Sequence, residues 1–225
     1  MLTKRYPFSK KPTTMKYHLL LLIVFSLFIS RCMISTDEDK HAAYTPEENG
    51  KATLTIIIQP FEGFPASSAN LIAKQLKEMY SGTIVVNDAI PFPDNAFNPA
   101  RSRYRADSLI KYLSTLAKDH QLIIGLTNRD ISTTKDNYPD WGIMGLGYCP
   151  GKSCIASTFR LKGGNQLEKL FKVAIHELGH TQGLPHCPNQ TCLMRDAEGK
   201  DHLDEEKEFC PRCKAVLIKA GWNLK

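Results

Sequence analysis

No acidic residue occurs among the first 31 positions, and no net charge remains beyond them. The head carries Lys4, Arg5, Lys10, Lys11, Lys16 and Arg31, and the 23 basic residues left over balance the 23 acidic ones. The formal charge of +6 therefore belongs to the head alone. The rest lacks the basic footprint that a phosphate backbone requires, so no nucleic-acid partner is expected. An apolar run long enough for an ordinary membrane span is also missing. Leu19 to Ser30 is twelve residues, against about 17–25 for a spanning helix. No internal repeat or low-complexity segment is visible, which excludes a repeat architecture.

A wholly basic head followed by a short apolar run is the pattern of an export signal, assigned here to residues 1–31. Cys32 follows at once, as in a bacterial lipoprotein signal, where the cysteine is acylated after cleavage; Arg31 departs from the small residue usual there. Translation from Met15 would leave Lys16 to supply the charge, and an uncleaved hydrophobic anchor is the alternative to cleavage. The expected location is the cell envelope, by a lipid or signal tether, or the secreted fraction. Residues 32–51 are polar without hydrophobic period and read as a tether. Order begins near Ala52. The length, with 42% hydrophobic and 23% charged residues, suits one packed domain over 52–225, expected to be a monomer.

Within that domain, Thr53 to Gln59 is a β-branched apolar run, the mark of a buried strand. Leu71, Ile72 and Leu76 give Ser67 to Met79 a helical face, and Leu109, Ile110, Leu113 and Leu116 repeat the pattern over Ala106 to Lys118. Thr83 to Ile90, Gln121 to Thr127, Gly145 to Tyr148 and Ile155 to Leu161 read as further strands. Such alternation implies helices packed on a sheet that is at least partly parallel.

Gln166 to Gly183 is the informative helix. Its apolar face runs through Leu167, Leu170, Phe171, Ala174, Ile175 and Leu178, and it carries His176 and His180 four residues apart. That spacing puts both imidazoles on one face, able to reach a single metal ion. Glu177 points aside from the pair, placed to hold water and act as base rather than to bind the metal. Gly183 ends the helix in a left-handed turn that brings back His186 as a third ligand. Three protein ligands leave a position open for water, as in a catalytic zinc site. At this composition His-acid-x-x-His arises by chance in about 2 of 100 chains, and with the later Gly and His in about 4 of 100,000. Surface histidines on an ordinary helix are therefore a poor account of the run.

The run His-Glu-x-x-His-x-x-Gly-x-x-His resembles the metzincin clan of zinc peptidases. Continuing through Cys187, Cys192, Met194, Cys210 and Cys213, it is similar to the archaemetzincin family, with fifteen residues between Met194 and Cys210, slightly fewer than that family has. The strand residues Ser157 to Leu161 share the likeness. The resemblance implies an α+β (α/β-like) fold: a single zincin-like domain with a mixed sheet, an active-site helix and a C-terminal segment holding a four-cysteine zinc site. It implies Zn2+ at two places, a catalytic ion on His176, His180 and His186 and a structural one on Cys187, Cys192, Cys210 and Cys213. Two closely spaced thiolate pairs suit one tetrahedral ion; two disulfides are the competing reading for an exported chain. Met194 would form the Met-turn below the catalytic zinc. Cys149 and Cys154, outside this set, are a candidate disulfide across a Pro-Gly turn, or else a reduced pair.

The expected function is hydrolysis of peptide bonds in a peptide or protein substrate, through a water on the three-histidine zinc with Glu177 as general base. The strand near Ser153 to Thr158 is expected along the cleft edge. The alternative is an exported, non-catalytic zinc-binding interaction module, which would have no need of Glu177.

Overall fold

The computed structural model describes residues 54–197 and 201–225, so the export signal, Cys32 and the tether lie outside the described residues. The chain begins with β1 (Thr55–Pro60), α1 (Ala66–Met79), β2 (Ile84–Val86), a 3-10 turn (Asp94–Ala96), β3 (Phe97–Asn98), β4 (Arg103–Arg105) and α2 (Ala106–Leu116). It continues through β5 (Gln121–Thr127), β6 (Ile131–Lys135), β7 (Tyr138–Ile143), β8 (Gly145–Gly147), β9 (Ser153–Ser157), α3 (Gln166–Thr181) and α4 (Pro211–Lys219).

The strands form two sheets, ordered β2-β1-β5-β9-β8 and β3-β4-β6-β7. In the larger one β2, β1, β5 and β9 run parallel, and β8 pairs antiparallel with β9. This is the mixed α+β arrangement expected. The strand sequences are apolar nearly throughout because both faces of the sheet are covered. Ile56 and Ile58 of β1 join the core with α1 and α3, and Ile57 joins the opposite core with α2. Ile123 of β5 and Ile155 of β9 likewise face α2, while Leu122, Ile124 and Ala156 face the other way. Stepping from β1 out to β2, then back across β1 to β5, reverses direction. Right-handed crossovers then put α1 and α2 on opposite faces.

One expectation is corrected. β9 lies inside the sheet between β5 and β8, so the edge is β8 and not the segment from Ser153 to Thr158. The smaller sheet was not expected, and buried charge pairs fix it in place. Arg160 grips Asp130 through two bonds (2.7 and 2.9 Å), and Arg103 reaches Asp130 (3.1 Å) and Asp140 (3.4 Å). The Arg160 guanidinium packs directly on Gly142 of β7, where a Cβ would stand 2.1 Å from it. These bonds hold the segment just before α3 against the smaller sheet. On α3 itself, the buried amines of Lys169 and Lys172 bind the loop opposite, at Asp201 (2.9 Å) and the Leu203 carbonyl (2.7 Å).

Candidate active site

Helix α3 stops where Gly183 takes a left-handed φ of 82°. The Gly183 amide bonds the His180 carbonyl (2.8 Å) and the Leu184 amide bonds that of Gly179 (3.2 Å), the paired closure of a Schellman turn. The chain doubles back and brings His186 to the helix. The rings of His176, His180 and His186 gather with centroids 4.7 to 5.4 Å apart, and one nitrogen from each lies within 4.8 Å of the others.

Hydrogen bonding decides which nitrogens face inward. His176 Nδ1 lies 2.7 Å from the Leu193 carbonyl and His180 Nδ1 2.7 Å from the Leu184 carbonyl. A carbonyl only accepts, so both Nδ1 atoms carry the proton and both Nε2 atoms present lone pairs. These two nitrogens stand 3.0 Å apart. Nitrogens sharing one zinc in tetrahedral geometry would be about 3.3 Å apart, so the donor set fits that ion. Burial, and then the neighbouring imidazoles, hold His176 down at about 3; burial holds His180 down at about 4. Both imidazoles are neutral at any ordinary pH.

Glu177 is buried on the side of α3 that faces β8, and burial pushes its carboxyl up to about 8. The slot exists because β8 is Gly145-Leu146-Gly147. A Cβ on Gly145 would stand 2.6 Å from Glu177 Oε1, and one on Gly147 would stand 2.6 Å from the Glu177 carbonyl oxygen. Two glycines thus let the edge strand lie directly on the active-site helix. Gly145→Ala should push the carboxylate aside and lower the kcat of any reaction it takes part in about 10–100-fold with metal content unchanged, since small misplacements of a reacting group cost that much. Steady-state kinetics beside metal analysis checks this; an unchanged kcat would show that Glu177 has room to spare.

Met194 packs beneath α3, where its sulfur would stand 2.4 Å from a Cβ on Gly179. Beyond it the sulfurs of Cys187, Cys192, Cys210 and Cys213 lie mutually within 4.8 Å. Cys187 and Cys210 are 3.7 Å apart, against about 3.8 Å for two thiolates on one tetrahedral zinc. Cys210 caps α4 and Pro211 starts it, so the helix N-terminus faces the thiolates. The Cys210 amide also donates to Cys192 Sγ (3.3 Å). None of the four is in a disulfide.

No disulfide joins Cys149 and Cys154 either. Cys154 is fully buried in the core beside α3, where burial and then the Glu177 charge hold its thiol up, while Cys149 Sγ contacts the Leu184 carbonyl (3.8 Å). The candidate bridge is thus replaced by two separately placed sulfurs. A residue missed in the sequence is Asp196, whose Oδ2 lies 3.1 Å from His186 Nδ1. Its only signal was a place two positions after Met194.

A profile of peptidase family M54 matches residues 65–219. The chain belongs to peptidase family M54. Archaemetzincin of Halobacterium salinarum is 31% identical over 178 residues, which is 73% of this chain and all of that one. Archaemetzincin of Haloquadratum walsbyi is 29% identical over 177 residues, covering 73% of this chain and 99% of its own. The crystal structure of archaemetzincin from Methanopyrus kandleri superposes with a TM-score of 0.64 at 28% identity, over 75% of this chain and 95% of that one. As an M54 chain the protein is a zinc metallopeptidase, a hydrolase of peptide or protein substrates.

Proposed function

We propose that His176, His180 and His186 hold the catalytic zinc, that Glu177 is the general base, and that Cys187, Cys192, Cys210 and Cys213 hold a second, structural zinc. One observation carries this reading: three imidazole donors converge at metal-binding spacing while the carboxylate next to the first is buried against the glycines of β8. A closed, purely structural site has no use for such a carboxylate.

Zinc, when bound, supplies Lewis acidity, polarising the scissile carbonyl and lowering the pKa of water towards ~7. The protein residues do the rest. The helix and the Gly183 turn keep the imidazoles in fixed tautomers. Glu177 accepts the proton of the attacking water and delivers it to the leaving amine nitrogen. β8 is an edge strand, so an extended peptide can add alongside it by main-chain hydrogen bonds, with its scissile bond brought beside Glu177. The full chain should cleave members of a pooled peptide library, stop on chelation, and recover when zinc is returned. Cleavage that survives complete removal of metal would contradict the assignment.

A further inference from the structure

We propose that Asp196 is a positioning residue for the third zinc ligand, His186, an inference that rests on the histidine-zinc assignment above. The three histidines are not supported alike. His176 and His180 project from a packed helix and donate Nδ1–H to backbone carbonyls. His186 sits on the turn after α3, with 45% of its side chain exposed and no helix to fix its ring. Its Nδ1 faces a carboxylate instead, Asp196 Oδ2 at 3.1 Å.

The backbone brings these two residues together. Cys187 and Arg195 form an isolated parallel bridge, with the Cys187 amide on the Met194 carbonyl (2.7 Å), so His186 and Asp196 are each one residue from a member of the bridge. The Arg195 amide bonds the Cys192 carbonyl (2.9 Å), closing the turn that presents Asp196. The neighbouring Arg195 guanidinium is engaged by Glu205 (2.6 Å) and the Gln190 carbonyl (3.1 Å).

A carboxylate at Nδ1 does three things for a ligand. It fixes the proton on Nδ1, so the Nε2 lone pair is the donor; it restrains ring rotation; and it makes the imidazole a stronger base towards the cation. An exposed His-Asp pair adds little to folding stability, so its effect belongs to metal affinity.

The test is cobalt(II) titration against a competing chelator, on the full chain and its Asp196→Ala and Asp196→Asn variants. Cobalt on four thiolates gives intense sulfur-to-metal charge-transfer bands and cobalt on imidazoles only weak d–d bands, so the two sites are read separately in one sample. Asp196→Ala should weaken the histidine site about 10–100-fold, as loss of such a supporting partner does elsewhere, and leave the thiolate site unchanged. Asp196→Asn, which keeps an acceptor oxygen without the charge, should fall between. Histidine-site affinities unchanged in both variants overturn the proposal. So does equal weakening at both sites, which would make Asp196 a mere structural prop of the turn. A wild-type chain that fills its thiolate site but takes no cobalt at the histidines would instead overturn the zinc assignment itself, and this inference with it.

Discussion

Cys213→Ser should strip one zinc from the protein and lower its unfolding midpoint by roughly 10–15 °C, equivalent to about 3–5 kcal/mol for a domain of this size. The four sulfurs bring two backbone segments to one point. Cys187 and Cys192 flank the turn after α3, and Cys210 and Cys213 open α4. The segments are also joined by the Leu193 amide to the Glu208 carbonyl (3.0 Å), the Lys207 amide to that of Thr191 (2.9 Å) and Arg195 on Glu205 (2.6 Å). Zinc binding to such a set is folding energy. The damage should also reach the catalytic ion. Leu193, whose carbonyl receives His176 Nδ1–H, adjoins Cys192, and His186 adjoins Cys187. Calorimetry and metal analysis of the variant check both parts; a wild-type midpoint with two zincs bound would refute the structural site.

The residues of α3 and its turn were readable in the sequence because the chemistry there is local. A four-residue spacing, a glycine that ends the helix and a third histidine three residues on all act within one stretch of chain. The cysteine pairs were readable for the same reason. What was not readable depends on pairing between distant segments. β8 and β9 are both short and mostly apolar, and nothing in Gly145-Leu146-Gly147 or Ser153 to Ser157 says which one is the edge. The answer comes from the register of Ile123 to Thr127 against Ser153 to Ser157, which puts β9 inside. The glycines of β8 gained their meaning only once α3 lay against them. The smaller sheet had a signal that was passed over: β6 and β7 flank Asp136-Asn137, with Asp136 at a φ of 49°, the two-residue turn chemistry of a hairpin. Asp196 had only its place two positions after Met194, because its contact with His186 joins residues ten apart in the chain.

The central claim is that Glu177 performs base catalysis beside a histidine-bound zinc, and Glu177→Gln tests it with the least collateral change. Gln has nearly the same shape, keeps a hydrogen-bonding tip for the slot against Gly145 and removes the carboxylate that would take the proton. The fold and the metal should therefore survive. Hydrolysis should not: loss of general acid–base catalysis alone costs about 10²–10⁴-fold in rate. The deciding measurement is kcat/KM of the wild type and Glu177→Gln on the same cleaved peptide, with zinc counted in both samples. Two zincs in each protein and a fall of at least about 100-fold in the variant is the result predicted here. Equal rates at equal zinc content would show that another group takes the proton, and would contradict the account.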